Sequence, residues 1–332
     1  MNLFNKNFVT FFFLHIFLSF IPIRSESYLG LSSIRNGGEH IFETGNKFPN
    51  LSGIRGGSRI TYNRNYNLYG INGGWKQNGY LLNFQIHGTG WYRRTSNSRD
   101  EDFYLGSIST EKGTKFSLNP LFLNDSAHTF SGSQNFADGH AKSVVNDQRF
   151  SVSGRYYPYS NSSSFSDGGF FFNSLFRYTY FKYYLYDVIQ FIQRPFFIGP
   201  IGQGLSYSLS QSLLGGGGGY RHKFNNLSLE AELFLTLGFS KFRDFHVQRA
   251  LNFIGNGIGS GFVFRLGGSY SLGDDYSLNL FYEGNRMYSH SNFTTRGGLS
   301  ADDVISGQLG KYKNYLSTKE ANMEFSVMKL FK

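Results

Sequence analysis

The sequence contains no cysteine and little proline, and each shortage narrows the class of protein. Without cysteine no disulfide can form, which excludes a small secreted domain held together by disulfides. Only 6 prolines occur in 332 residues, whereas glycine occurs 41 times. Beyond the N-terminal segment no stretch reaches the roughly 18 apolar residues that a membrane-spanning helix needs. The stability of the chain must therefore come from a large structure closed by hydrogen bonds.

The N-terminal segment is typical of a secretory signal sequence. Lys6 precedes an apolar run from Phe8 to Ile23, and Ser25 and Ser27 supply the small residues of a cleavage site. Because the run is short and a processing site follows it, we expect residues 1–27 to be a signal peptide. Residues 28–332 are then expected to form a single domain. An N-terminal transmembrane helix is the alternative.

The composition combines many aromatic residues with moderate hydrophobicity. Phe and Tyr occur 37 and 23 times, although hydrophobic residues make up only 40% of the chain. Transmembrane barrels have this composition, because aromatic girdles lie outside and polar residues line the lumen. The net charge of +10 would suit nucleic acid inside a cell. For an exported chain we instead expect an anionic lipid surface as partner, and no nucleic acid.

The clearest periodicity lies between Leu227 and Phe242 and has the period of two that strands produce. Odd positions carry Leu, Ala and Phe, whereas even positions include Ser228, Glu230 and Glu232. A half-exposed strand of a soluble sandwich also alternates, but such strands are usually about five or six residues long. The length of this run favours a strand that crosses a membrane.

Similar alternation in nine other segments predicts an all-β, ten-stranded antiparallel transmembrane β-barrel of the outer membrane. An even strand number places both termini on the periplasmic side. The ten segments are residues 28–35, 59–75, 80–92, 148–159, 168–187, 204–220, 227–242, 259–270, 276–287 and 314–331. The longer connections, which we expect on the extracellular side, are residues 36–58, 93–147, 188–203, 243–258 and 288–313.

A glycine run from Gly215 to Gly219 raises the question of a phosphate-binding loop. No Gly-Lys-Ser/Thr follows the run and no helix signal appears, so this interpretation is disfavoured. Glycines that allow a strand to pack closely against its neighbour are the favoured explanation.

Two polar motifs follow outward-running strands and are therefore predicted to lie at the same end of the barrel. Asp100 and Asp102 follow the third strand, and Asp244 and His246 follow the seventh. The spacing i, i+2 projects each pair from one face, and the second pair shares the lumen parity of Glu230. A histidine held by a carboxylate can take a proton from water. The alternatives are solvated loop charge and a chance pairing, and no histidine spacing indicates a metal site.

These motifs resemble those of the omptin family of outer-membrane proteases. The resemblance runs along nearly the whole of residues 28–332 and rests on Leu29-Gly30, Glu39, Gly90-Trp91, Asp100-Glu101-Asp102, Gly219-Tyr220-Arg221 and Asp244-Phe245-His246. It implies an endopeptidase, a hydrolase of the aspartic type, that cleaves exposed peptides or surface and host proteins. Asp244 and His246 would activate water, and Asp100 and Asp102 would face them. The resemblance implies no cofactor beyond a dependence of activity on lipopolysaccharide.

The resemblance also implies two binding regions. Glu39 would accept a basic substrate side chain, but Phe242 replaces a second acidic residue of the family, which puts cleavage beside basic residues in doubt. Tyr178, Tyr180 and Lys182 would meet lipopolysaccharide near the extracellular end of the fifth strand. An aromatic girdle with an interfacial lysine would explain these three residues without a specific ligand.

A catalytically inactive barrel is the alternative function, either as an adhesin or binding protein or as a narrow porin. Phe242 and the long second loop favour it, because a binding protein needs no charged substrate pocket and gains contact area from the loop. A wide pore is disfavoured, because ten strands leave a lumen that side chains mostly fill.

Overall fold

The computed structural model describes residues 26–47, 55–77, 79–105, 137–158, 168–192, 197–198, 202–308 and 312–331. Its first strand begins at Glu26, and the greater part of the predicted signal peptide, residues 1–25, lies outside the described residues.

The described residues form fourteen strands in one sheet and a short helix. In chain order these are β1 (Glu26–Lys47), β2 (Arg55–Asn63), β3 (Tyr66–Gln77), β4 (Tyr80–Gly88), β5 (Arg93–Arg94), β6 (Ser98–Leu105), β7 (Ala137–Tyr156), β8 (Gly168–Ile192), β9 (Phe197–Ile198), β10 (Gln203–Phe224), β11 (Leu227–His246), β12 (Leu251–Leu272), β13 (Tyr276–Gly297), α1 (Ala301–Gln308) and β14 (Tyr312–Phe331).

Ten of these strands close into an antiparallel ring, which confirms the predicted barrel. The ring order is β1, β3, β4, β7, β8, β10, β11, β12, β13 and β14, and β14 pairs with β1. We call the end that holds Glu26 and Phe331 the turn end, and the opposite end the loop end. At the loop end β2 and β6 continue β3 and β4 and fill the wall between β1 and β7.

Side chains alternate between an apolar outer wall and a polar lumen, as the period of two predicts. On β11, Leu235 is 69% exposed and points outward, whereas Glu230 and Glu232 are buried inside. The outward apolar side chains form a band that we call the apolar belt, and its members include Leu29, Leu31, Ile71, Ile86, Phe172, Phe176, Leu233, Leu235, Leu237, Phe262, Leu266, Leu280, Met323 and Phe325. Tyrosines edge the belt at the turn end, namely Tyr80, Tyr156, Tyr220, Tyr270 and Tyr276. A belt with an aromatic edge is the lipid-facing surface of a transmembrane barrel.

Several strands extend further toward the loop end than predicted. The connection predicted at residues 243–258 shrinks to four residues, because β11 continues to His246 and β12 begins at Leu251. Beyond the belt, outward positions need not be apolar, and Lys241 and Arg243 stand exposed on β11. The ladder of hydrogen bonds therefore continues where the hydrophobic pattern ends.

The glycine run lies within β10 and serves close strand packing, as expected. A Cβ at Gly217 would lie 2.0 Å from the Leu233 carbonyl oxygen, and a Cβ at Gly219 would meet the Phe171 ring. Side chains at these positions would push β10 away from its neighbours.

Ion pairs cross the lumen over the half nearer the turn end. Arg155 on β7 binds Glu230 and Glu232 on β11 at 2.8 and 2.7 Å, and Arg177 on β8 binds Glu283 on β13 at 2.7 Å. A cavity of about 370 Å³ remains at this end of the lumen.

The middle of the lumen contains a buried cluster of two arginines and two carboxylates. Arg64, which lies at the break between β2 and β3, binds Asp147 at 2.6 Å and Glu320 at 2.8 Å. Arg149 binds the same two carboxylates at 2.9 and 3.3 Å. All four side chains are buried, and the Arg64 guanidinium lies 4.6 Å from the centre of the Phe181 ring.

Toward the loop end, aromatic and aliphatic side chains pack into one core cluster inside the barrel. Its aromatic members are Phe42, Tyr62, Tyr66, Phe181, Tyr183, Tyr207, Phe242 and Phe293. The described contacts therefore bridge the lumen at several levels.

The helix α1 packs near the loop end of β13. Asp303 on α1 forms an ion pair with Arg249 in the β11–β12 turn, which ties the two connections together. No helix in the described part of the chain is long and apolar enough to cross a membrane.

Candidate functional site

Asp244 and His246 form a hydrogen-bonded pair at the loop end of the lumen. Both residues lie at the end of β11, and their side chains point into the lumen like those of the other even-numbered residues of the strand. Asp244 Oδ2 is 3.2 Å from His246 Nε2. Asp244 is 1% exposed, whereas the His246 side chain is 23% exposed. The carboxylate is thus enclosed while the imidazole faces the opening.

The surroundings of His246 fix its ring and its protonation. The ring packs edge-on against Phe253, with 5.1 Å between the ring centres. His246 lies beyond the apolar belt, which ends at Phe239 on this strand. Burial lowers the pKa of His246, but the charge and hydrogen bond of Asp244 together with the charge of Asp100 outweigh burial, so the pKa is raised above its usual value.

Asp100 lies at the same mouth, on the inward face of β6. Its Cα is paired with that of Ile60, whose side chain is buried in the core cluster, and paired residues share a face. The Ser58 hydroxyl donates to Asp100 at 3.4 Å. The negative charge of Asp100 is near enough to contribute to the raised pKa of His246.

Asp102 can be placed only by its backbone. Its Cα pairs with Ser58 on β2 and Ala137 on β7, and its side chain lies outside the described residues. The structure therefore brings together Asp100, Asp244 and His246 of the four predicted catalytic residues.

A hydrogen-bonded chain that the sequence did not reveal lies beneath the pair. His40 Nε2 bonds to the Tyr207 hydroxyl at 2.8 Å, and His40 Nδ1 bonds to Thr318 Oγ1 at 2.9 Å. Tyr207 is the Cα partner of Asp244, so the chain begins directly beside the carboxylate. His40 occupies an inward-facing position of β1, and that position is the sequence signal that could have indicated this hydrogen-bonded chain.

Phe242 fills the position two residues before Asp244 on the same inward face. It is 1% exposed and packs against Phe42 and Tyr207, with ring centres 5.1 and 6.3 Å away. An aromatic core residue, rather than a charged pocket, therefore lies below the pair.

Glu39 is not brought to the pair. It shares the outward parity of Leu29 and Leu31 on β1 and forms an ion pair with Lys319 on β14 at 2.8 Å. Its neighbour His40, not Glu39, points into the lumen.

Tyr178, Tyr180 and Lys182 lie on the outward face of β8, toward the loop end. Tyr178 is exposed, and Lys182 Nζ lies 4.7 Å from the centre of the Tyr184 ring. The three side chains thus stand where the apolar belt gives way to polar surface.

The pair has the parts needed for proton transfer. Asp244 can hold one tautomer of His246, and its second oxygen, Oδ1, is buried without a hydrogen-bond partner among the described residues. No group of three His, Asp or Glu side chains in the described part of the chain could hold a metal ion. A histidine that is hydrogen-bonded to a carboxylate can act as a general acid or base.

Comparisons with solved structures found outer-membrane proteins. The outer membrane protease OmpT from Escherichia coli is similar with a TM-score of 0.61 at 8% identity, over 91% of this chain and 96% of that chain. The outer membrane protein OprG from Pseudomonas aeruginosa gives a TM-score of 0.35 at 11% identity, over 91% and 96%. No curated protein matches the sequence. A family model described as "Putative porin" matches residues 47–325. The chain is an outer-membrane β-barrel and belongs to the family that carries this description.

Proposed function

We propose that this barrel is an omptin-like endopeptidase that uses water as its nucleophile. The observation that carries the proposal is the hydrogen bond between Asp244 and His246 at the loop end of the lumen, where the His246 side chain is partly exposed. Asp100 supplies a further carboxylate at the same mouth, and its charge acts on His246. The fold shared with OmpT supports a barrel scaffold of this kind. At 8% identity it supports no statement about activity or substrate.

In the proposed reaction, neutral His246 takes a proton from water as the water oxygen attacks the peptide carbonyl carbon. Asp244 fixes the tautomer of His246 and stabilises the imidazolium that forms. His246 then returns the proton to the amine leaving group as the carbon–nitrogen bond breaks. Asp100 and Asp102 would face the pair and orient water and substrate.

The proposal places the loop end outside the cell, where exposed peptides and surface or host proteins are the substrates. Tyr178, Tyr180 and Lys182 would then contact lipopolysaccharide in the outer leaflet. Selectivity for basic side chains is not part of the proposal, because Phe242 is a core residue and Glu39 faces outward.

A pore for small solutes is the second candidate, since the family description names a porin and a cavity of about 370 Å³ lies at the turn end. The ion pairs and aromatic packing that bridge the lumen oppose continuous passage.

One experiment separates the two candidates. The purified barrel, refolded with lipopolysaccharide, is incubated with a mixed peptide library, and products are identified by mass spectrometry. We expect cleavage by the wild type and a loss of roughly 10²–10⁴-fold in His246→Ala and Asp244→Asn. His222→Ala and Asp275→Asn change exposed residues of the same types at the turn end and should cleave normally.

The same preparations are tested for solute entry into liposomes. Cleavage that survives in His246→Ala would contradict the proposed mechanism. Absence of any cleavage together with solute entry would favour the pore.

A further inference from the structure

The outer wall between β10 and β14 carries two adjoining depressions. The lower one, of about 450 Å³, lies between the side chains of Leu235, Leu237 and Phe262. Ser260 forms part of its floor, because a small side chain stands there between two large ones on the outward face of β12. The lower depression is thus an apolar channel within the belt.

The upper depression, of about 990 Å³, lies next to it toward the loop end. Phe239 and Ile258 form its base, and these residues are one outward position above Leu237 and Ser260 on the same strands. Beyond them the lining is polar and includes Ser210, Asn256, His290 and Asn292. Together the two depressions form an amphipathic groove across the edge of the apolar belt.

Two cations in the groove have no anionic partner among the residues that the structure describes. Lys241 lines the upper depression and Arg286 the lower one, and both are exposed. Neither forms an ion pair with a residue that the structure describes, and none of the described lining residues is acidic. Lumenal arginines such as Arg64 and Arg155, in contrast, each bind two carboxylates.

The guanidinium of Arg286 lies at the lower depression and is directed toward the loop end. It lies 4.9 Å from the centre of the Tyr288 ring, and Tyr288 is two residues nearer the loop end on β13. An arginine within an apolar belt extends toward the polar interface in this way. Positive charge thus lies in the upper depression on β11 and at the lower depression on β13.

We propose that this groove binds one phosphate-bearing lipid of the outer leaflet. Its acyl chain would lie along Leu235, Leu237 and Phe262. Its phosphorylated headgroup would lie in the upper depression against Lys241, and Arg286 would reach toward the headgroup from the lower depression. The match of apolar channel, polar depression and unpaired positive charge to the three parts of such a lipid carries the assignment. The groove is separate from Tyr178 and Tyr180, which lie on β8.

The test uses delipidated barrel in a non-ionic detergent, with diphosphorylated lipid A as the probe and native mass spectrometry as the readout. We expect the wild type to bind one lipid A with an affinity that falls about 20- to 30-fold in Lys241→Ala/Arg286→Ala, roughly fivefold for each cation. Ser260→Phe fills the apolar channel without changing charge and should also weaken binding. Circular dichroism verifies that each variant retains the barrel.

Lys329→Ala is the matched control, because Lys329 is exposed on β14 at the turn end of the same wall. It should leave binding unchanged. Equal binding of dephosphorylated lipid A, or equal losses in Lys329→Ala and the double variant, would overturn the proposal in favour of a nonspecific lipid belt. Full competition by inorganic phosphate would also overturn it, since the site would then bind free phosphate. Lys182→Ala is measured as well. If lipid A binding falls only in this variant, the lipid binds at β8 instead.

Discussion

The protonation of His246 decides, at the scale of single residues, whether the proposed chemistry can proceed. Burial lowers its pKa, but Asp244 and then Asp100 raise the pKa by more, so the pKa lies above the usual 6.5. Protonated imidazole cannot accept a proton from water. We therefore expect kcat/KM to fall as the pH drops through a value above 6.5, measured between about pH 5 and pH 9.

Asp100→Asn provides the check on this prediction. Removing its charge lowers the pKa of His246, so the acid limb of the profile should move to lower pH in addition to any loss of rate. Asp275→Asn, a distant exposed site, should leave the limb in place. If the acid limb of the pH profile does not move in Asp100→Asn, a group other than His246 is responsible for that limb.

The loss of Arg64 should lower the stability of the barrel. It is fully buried with Asp147 and Glu320, so Arg64→Ala leaves Arg149 as the partner of two buried carboxylates. We expect the free energy of unfolding to fall by about 3 kcal/mol, measured by urea denaturation in lipid bilayers. Arg35→Ala removes an exposed arginine that bonds to asparagine side chains among the described residues, and it should cost less than about 1 kcal/mol. Similar losses in the two variants would refute the role of the cluster.

The glycine run gives a prediction at the scale of the strand. A Cβ at Gly217 would come within 2.0 Å of the Leu233 carbonyl oxygen, whereas a Cβ at Gly216 would meet nothing nearer than the Asn173 oxygen at 3.9 Å. We expect Gly217→Ala to lower the free energy of unfolding by about 1–3 kcal/mol, because β10 must move away from β11. Gly216→Ala should be nearly neutral in the same denaturation assay. Equal effects would mean that the strands adjust freely.

The strands themselves could be predicted from the sequence only where lipid constrains them. Inside the apolar belt every second residue must be apolar, and most of the predicted segments lie there, although 59–75 and 204–220 also reach the loop end. Beyond the belt that constraint ends, so the loop-end extensions and the break at Arg64 left no periodic signal. The inward parity of Asp244 and His246 followed from their unbroken continuation of β11. The outward position of Glu39 did not, because it depends on the parity of β1 beyond the end of its predicted segment.

For the whole molecule, the bridged lumen predicts that the barrel does not conduct ions. His40 and Tyr207 bond across the ring from β1 to β10, which lie on opposite sides, and the buried ion cluster closes the level below. We expect no stable conductance steps from wild-type protein in planar bilayers. Reproducible steps that scale with salt concentration would contradict this and support the function named in the family description.

The position of Glu320 on the last strand has a consequence for assembly. Until β14 docks against β1, Arg64 and Arg149 share Asp147 alone, and one buried positive charge has no counter-charge. An open sheet therefore carries an electrostatic cost that only the closing hairpin removes. Closure of the barrel and neutralisation of the buried charge therefore occur in the same step. A chain truncated before β14 should not form a stable, partly assembled barrel.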